Sequence, residues 1–330
     1  MNITAEETEL ISQWNARPAQ PVSIRFVRTR HPMTGDFEAF LEDLRKIAPR
    51  IEVLSEVSEE AEPPAIYVGK ALRYHALPRG GELEPFLEAL SMLQNRPWEP
   101  LSEEIGKLAD EIEWPAQIKI YVTPHCPFCP RVLRQLQPLA LADSLLGVTV
   151  IDGSLFPEMA GKDGVRSVPT TILDSGVRWT GVMRPEEVRD ALVHRDPSQL
   201  SAETLKSFIK EGNASRLADM MLHREMIFPA FLALLLHPEW SVRLGAMVAA
   251  EEIGERNPML ALELLPGLWE HIEGGGVQDS VKGDVVYLMG ALGSREWIPA
   301  LERFLVNTQG EELREIVVEA LEMLRTSPEE

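Results

Sequence analysis

The chain has 330 residues, 45% of them apolar, only two cysteines, and a formal net charge of −20. That length exceeds one average domain, so two or three domains are expected, each able to bury a core. The acidic balance, with no Lys/Arg block, argues against a nucleic-acid partner, and two cysteines are too few for a disulfide framework.

The opening stretch MNITAEETEL has neither a basic start nor an apolar core, so it does not read as a signal peptide. The longest apolar runs, such as Phe228–Leu236, are too short to span a bilayer. The chain is therefore expected to be cytoplasmic. In that compartment two close cysteines point to chemistry or metal rather than to a structural disulfide.

Further along, the chain repeats itself. At an offset of 94 residues, Ile24–His31 falls on Ile118–His125, with Thr29 on Thr123 and His31 on His125. Each β-prone run is followed by an amphipathic helical pattern, Phe37–Ile47 and Arg131–Ala140. At an offset of 105, Pro64–Val68 falls on Pro169–Leu173 and Leu72–Tyr74 on Val177–Trp179. At the same offset Arg79-Gly-Gly-Glu82 falls on Arg184-Pro-Glu-Glu187. The 11 extra residues match the short helical stretch Ser154–Gly164 of the second copy. Matches kept in this order across so many elements indicate a duplication.

Each copy reads strand, helix, strand, (helix), strand, strand, helix. In the second copy, strands are expected near 118–122, 147–152, 170–173 and 177–180, and helices near 127–141 and 184–194. The strand–helix–strand opening implies parallel pairing, and the turn at Asp174–Gly176 implies an antiparallel hairpin. A helix over Glu99–Pro115 should join the copies, with Leu101, Ile105, Leu108 and Ile112 on one face.

From about Pro197 the strand signals stop. Helical periods cover Ser241–Glu255, Leu260–Ile272, Ser280–Gly293, Pro299–Asn307 and Glu311–Leu324, with breaks at His237-Pro238, Asn257-Pro258, Gly274–Gly276 and around Gly310. The small and apolar spacing of Val242, Leu244, Ala246, Ala249 and Ile253, together with Asp279–Gly293, resembles HEAT-type repeats. That resemblance implies an extended surface for a protein partner; the alternative is plain helical packing. Gly274–Gly276 is not a phosphate loop, because no strand precedes it and no Lys-Ser/Thr follows.

Both cysteines lie in YVTPHCPFCPRVL, residues 121–133. Cys126 follows a strand and Cys129 opens a helical pattern, so the first sulfur faces the unpaired amides of the first turn, which favour a thiolate. Pro127 suits such a turn, because its missing N–H would be unpaired there anyway. Cys126 is then the candidate nucleophile and Cys129 the resolving thiol. Forty residues beyond Cys129, Val168-Pro169-Thr170 places a proline directly before a β-prone run, the setting of a cis X–Pro bond. Pro169 would pack against the sulfurs and exclude metal, and Val168 would offer backbone groups to a peptide. Three blander readings stand beside this one: a zinc site, an iron–sulfur cluster bridging two chains, and inert thiols. The seven histidines show no paired metal spacing.

Y-V-T-P-x-C-P-x-C-P followed by S-V-P-T resembles the thioredoxin/glutaredoxin superfamily. The duplication is similar to that of protein disulfide oxidoreductases with two fused thioredoxin folds, and of the N-terminal domain of the alkyl hydroperoxide reductase flavoprotein. The resemblance covers about residues 1–196. It implies an α/β region of two tandem thioredoxin-like folds, 1–98 vestigial and 99–196 active, ahead of an all-α domain over 197–330. The vestigial copy has His31-Pro-Met-Thr-Gly35 where a CxxC would sit. The family's acid near the dithiol maps to Glu82, here preceded by Gly81 where the family often has His; its bland alternative is a helix-start carboxylate. The resemblance implies a thiol–disulfide oxidoreductase with Cys126, Cys129, Pro169 and Glu82 catalytic, and Pro127, Phe128, Val168 and Thr170 meeting substrate. No metal and no cofactor beyond the redox-active pair is expected. The expected partners are a disulfide-bearing protein and an external reductase, because no flavin or nicotinamide domain is read in the chain. The alternative function is an adaptor whose helical repeats bind a partner while the dithiol reports redox state.

Overall fold

The computed structural model describes residues 3–17, 19–58, 62–94, 103–142, 145–174, 176–196, 199–274 and 276–326. The chain divides into two compact units, Met1–Arg195 and Asp196–Glu330. The expected boundary at 98/99 lies outside the described residues.

In the first unit the order is α1 (Ala5–Ala16), β1 (Val22–Arg28), α2 (Thr34–Ile47), β2 (Ile51–Val57), β3 (Ala65–Val68), β4 (Leu72–His75) and α3 (Leu83–Gln94). The second half continues as α4 (Glu103–Glu111), β5 (Ala116–Val122), α5 (Cys129–Ala142), β6 (Leu146–Asp152), α6 (Pro157–Lys162), β7 (Thr170–Leu173), β8 (Val177–Thr180) and α7 (Pro185–Val193). The strands form one eight-stranded sheet in the order β2-β1-β3-β4-β6-β5-β7-β8. Within each half the pattern is the same: a parallel first pair, then two antiparallel partners. The halves meet where β4 pairs in parallel with β6, Leu72 opposite Val148 through His75 opposite Ile151.

The two sequence offsets reappear as strand boundaries. β1 maps onto β5 at 94, and β3 and β4 map onto β7 and β8 at 105. The copies also share an element the sequence pattern assigned only as a joining helix. α1 precedes β1 as α4 precedes β5, so the repeated unit begins with a helix. α1 carries a capping box: the Glu7 amide donates to Thr4 Oγ1 at 3.2 Å and the Thr4 amide to Glu7 Oε2 at 2.8 Å. Of the stripe expected on the joining helix, Ile112 is buried and Leu108 half-buried, while Leu101 and the Ile105 side chain lie outside the described set.

Burial follows strand position. Central β6 is buried at all seven residues, Leu146–Asp152, as a strand covered on both faces must be. β1 alternates, with Val22, Ile24 and Phe26 buried. α2 closes over this half with Phe37, Phe40, Leu41 and Leu44 at helical spacing. Across the seam, Gln137 of α5 donates to Tyr74 Oη of β4 at 2.6 Å, satisfying two buried polar groups at once.

The second unit is helical throughout its described residues: α8 (Ala202–Lys210), α9 (Ala214–Arg224), α10 (Phe231–Leu235), α11 (Trp240–Arg256), α12 (Pro258–Leu262), α13 (Leu264–Glu273), α14 (Asp279–Leu292), α15 (Ile298–Asn307) and α16 (Glu311–Thr326). The single helix expected over Leu260–Ile272 is two. Pro266 has no amide to give the Leu262 carbonyl, and its ring crowds that carbonyl, so the chain breaks at Glu263. α11 packs on α8, α9, α10 and α14, and α14 packs on α16. A Cβ on Gly290 would fall 2.8 Å from Ala320 Cα, so the α14–α16 approach requires glycine there. Arg243, only 2% exposed, reaches Asp284 at 2.6 Å and the carbonyls of His237 and Pro238 at 2.8 and 3.0 Å. A buried guanidinium is tolerable only when paired in this way.

Candidate dithiol site

β5 ends at Val122 and the chain turns, the Cys126 amide donating to the Thr123 carbonyl at 3.0 Å. Regular helix begins at Cys129, two residues later than the sequence pattern places it. Cys126 lies three residues before the helix, and the Cys129 amide donates to Cys126 Sγ at 3.2 Å, as the amide three residues on donates to a capping side chain. The Cys129 amide and the N-terminal end of a 14-residue helix thus face the Cys126 sulfur. The Val168–Pro169 bond is cis, and the Val168 carbonyl lies 3.8 Å from Cys126 Sγ. Pro169 is buried beneath this loop, and its carbonyl accepts from the Gly181 amide at 2.8 Å.

The two sulfurs are unequal. Cys126 is 8% exposed and Cys129 0% exposed, and both are free thiols in this structure. The Cys129 thiol is pushed well above its ordinary range, first by burial, then by its hydrogen bond with Cys126. The charges of Cys126 and Glu82 add to that push. Phe128 is 61% exposed and Pro127 is exposed beside it, so both form an apolar rim. Val168 is half-buried in the facing loop. Thr170 is not at that surface. It is 2% exposed, and its hydroxyl donates to the Ser167 carbonyl at 2.8 Å, so it shapes the loop from within.

Glu82 comes from the other half. It ends a short 3₁₀ turn, Gly80–Glu82, that packs against α5. Gly80 sits at φ +53°, and a Cβ on it would fall 2.6 Å from the Pro124 carbonyl. The Gly81 amide donates to that same carbonyl at 3.2 Å. Only glycine lets this turn lie flat on the dithiol loop. Glu82 is 1% exposed, and its Oε1 has no hydrogen-bond partner among the described residues. Burial, then the Asp152 charge, pushes its carboxyl up to about 8.

Three contributors escaped the sequence reading. Asp152 ends β6 opposite Val122 and accepts from the Ser154 and Leu155 amides, an Asx turn legible in Asp152-Gly-Ser154. Glu7 accepts from Arg79 at 3.0 Å and from the Gly80 amide at 2.8 Å, so α1 anchors the glutamate turn. Its capping box, Thr4-x-x-Glu7, is a local signal. Phe156 is fully buried, and its ring lies 5.4 Å from that of His31 and 6.2 Å from that of His75. No local pattern announces that role.

The first half's own site is closed. The His31 amide donates to Thr29 Oγ1 at 3.2 Å and the Met33 amide to His31 Nδ1 at 3.1 Å, so a turn closed on its own side chains stands where the second half has its dithiol loop. The Pro64 carbonyl, at the position of Pro169, pairs with His75 Nδ1 at 3.0 Å. His75 is held neutral, down to about 3, by burial and then by Arg73. Among the described residues, no three metal-binding side chains converge anywhere in the chain.

A paired strand–helix unit with a helix-start dithiol facing a cis-proline loop defines a thioredoxin-like fold, present here in tandem. Residues 116–193 match the thioredoxin domain family. The chain is similar to the F subunit of alkyl hydroperoxide reductase from Pseudomonas aeruginosa, 25% identical over 154 residues, covering 45% of this chain and 29% of that protein. The Xanthomonas campestris pv. phaseoli protein of the same name is 26% identical over 137 residues, covering 40% of this chain and 26% of that protein. The chain thus spans under a third of the length of these relatives. Among solved structures, the N-terminal N/C domain of alkylhydroperoxide reductase AhpF from Enterococcus faecalis aligns with TM-score 0.50 and 19% identity, over 58% of this chain and 100% of that one. A protein disulfide oxidoreductase from Aeropyrum pernix aligns with TM-score 0.54 and 16% identity, over 61% of this chain and 97% of that one. These likenesses establish the tandem thioredoxin-like fold of the first unit, followed here by a helical unit.

Proposed function

We propose that this protein is a thiol–disulfide oxidoreductase that passes two electrons from the Cys126–Cys129 dithiol to a disulfide in a partner protein. The observation that carries this reading is the unequal pair at the start of α5, Cys126 reachable and Cys129 sealed beside a buried carboxyl. The Cys126 thiolate attacks one sulfur of the partner disulfide, forming a mixed disulfide and releasing a partner thiolate, which takes up a proton. Cys129 then gives its proton to the Glu82 carboxylate and attacks Cys126 Sγ. The second partner thiolate leaves and is protonated, and Cys126–Cys129 is oxidised. A carboxyl titrating near 8 can hold or release a proton close to neutrality. Val168 offers backbone groups to the incoming peptide, and Pro127 and Phe128 form the apolar rim it meets.

An external reductase returns the electrons, and the pair needs no further cofactor. The relatives are named as hydroperoxide reductase subunits, so disulfides formed during peroxide removal are the first substrates to try. No described helix is long and apolar enough to cross a membrane, and a reducing role fits the cytosol. To test the nucleophile, the Cys129→Ser variant is mixed with a disulfide-bearing protein. A covalent complex through Cys126 supports the assignment. A complex formed equally well by Cys126→Ser would overturn it.

A second reading concerns the helical unit. Trp240, Leu244 and Val248 form a row at four-residue spacing on α11 and are 61%, 41% and 43% exposed. We read these HEAT-like helices as a partner-docking surface. Substituting the three by Asp in the trapping variant should change which proteins are captured; an unchanged set counts against docking.

A further inference from the structure

The chain carries a net charge of −20, and many surface cations of the first unit are tied to acids. Arg28 pairs with Glu38, Arg134 with Glu84 and Glu88, Arg184 with Glu187, and Arg189 with Glu111. The dithiol rim reverses that pattern. Two segments enclose Cys126 Sγ, Thr123–Arg131 and Gly164–Pro169, and neither contains an acidic residue. Apart from the two cysteines, their ionisable side chains are His125, Arg131 and Arg166, all exposed. Among the described residues, neither Arg131 nor Arg166 has a side-chain partner. Asp163, just outside the second segment, is spent on Lys119 at 2.9 Å.

Resting on the oxidoreductase reading, we propose that this site selects disulfides held in acidic segments. Arg166 lies two residues before the Val168 carbonyl that faces Cys126 Sγ, and Arg131 lies two residues past Cys129. A peptide laid along Val168 carries its flanking side chains past both guanidinium groups. The net charge of −20 disfavours an acidic partner on average, so a basic rim favours approach at this site and orients the disulfide toward Cys126. A basic segment is drawn to the acidic surface everywhere else and gains nothing at the sulfur. Because the arginines are exposed, the preference is moderate and salt-sensitive.

The test uses the whole 330-residue chain, reduced and freed of reductant, in single turnovers. Its substrates are two fluorescent disulfide-linked peptides of equal length, one with Asp/Glu and one with Lys/Arg flanking the disulfide. Each rate is normalised to that for an uncharged small disulfide. We expect the acidic peptide to react about five- to tenfold faster at low salt, with the ratio falling toward one at high salt. The R131E/R166E variant should invert the ratio, and its thermal midpoint reports whether it is folded. Single-site R131Q and R166Q variants, each expected to lower the ratio partway, serve if the double variant does not fold. Equal wild-type rates, or a ratio indifferent to these substitutions, would refute the selectivity and leave the redox reading intact. Failure to reduce any of the three disulfides would overturn the redox reading and the selectivity with it.

Discussion

Glu82 and Glu187 occupy the same place in the two copies, three residues after an arginine at the start of the last helix. Their fates are opposite. Glu187 lies on the surface, closes a capping box with Arg184, and is held below the usual carboxylate range, chiefly by the Arg184 hydrogen bond. Glu82 is sealed, has one orphaned oxygen, and is pushed up to about 8. The cause is the seam. β4 pairs with β6 at the centre of the sheet, so the helix after β4 falls across the other copy's dithiol helix, whereas β8 is an edge and leaves α7 outside. Joining two equal folds edge to edge thus makes unequal sites. One copy keeps the sulfurs and the other supplies a buried carboxyl to them.

Paired substitutions probe this asymmetry. The largest effect is expected at the sulfurs themselves. Cys126→Ser should lower disulfide reduction by about 10³-fold or more, whereas Pro32→Ser, at the equivalent place in the silent copy, should change it by less than about twofold, the scale of a surface substitution. The next pair separates the two glutamates. Glu82→Gln should slow reduction at neutral pH by roughly 10- to 100-fold, whereas Glu187→Gln should leave the rate nearly unchanged and lower the thermal midpoint slightly.

Stability against pH separates the buried carboxyls. Glu82 is raised when folded, so the unfolded chain ionises first as pH rises. Its contribution therefore falls between about 4.5 and about 8, by up to about 1.4 kcal/mol per pH unit inside that window. Relative to wild type, Glu82→Gln should gain stability across that interval in denaturant titrations. Glu7 has the opposite sign. Burial raises its carboxyl, but Arg79 and the Thr4 and Gly80 amides outweigh burial and hold it down at about 2. Its contribution is complete above about 4.5 and is lost as pH falls toward 2. Glu7→Gln should cost on the order of 2 kcal/mol at neutral pH and progressively less in acid.

Much of this was legible in the sequence because the signals are local. The offsets of 94 and 105 locate three strand pairs, and Cys126, Cys129 and Pro169 announce their own geometry. The helix α1 has only its capping box, Thr4-x-x-Glu7, to announce it in the sequence. The β4–β6 seam was not legible, because parallel pairing between copies leaves no short-range pattern. The family resemblance alone placed Glu82 near the dithiol, and the surroundings that the seam gives it were hidden: the Asp152 charge behind it and the Phe156 ring against His31. Thr170 shows the converse limit. Its place beside Pro169 predicted contact with substrate, but strand burial and the Ser167 carbonyl take its hydroxyl inward.

In this mechanism the sulfur-less copy supplies the proton acceptor for the other copy's resolving thiol. The decisive experiment follows the rate of mixed-disulfide resolution against pH in wild type and Glu82→Gln. Wild type should show a rise with an inflection near pH 8, absent from the variant, whose rate rises only at higher pH as the Cys129 thiol itself ionises. Superimposable profiles would remove Glu82 from the proton path.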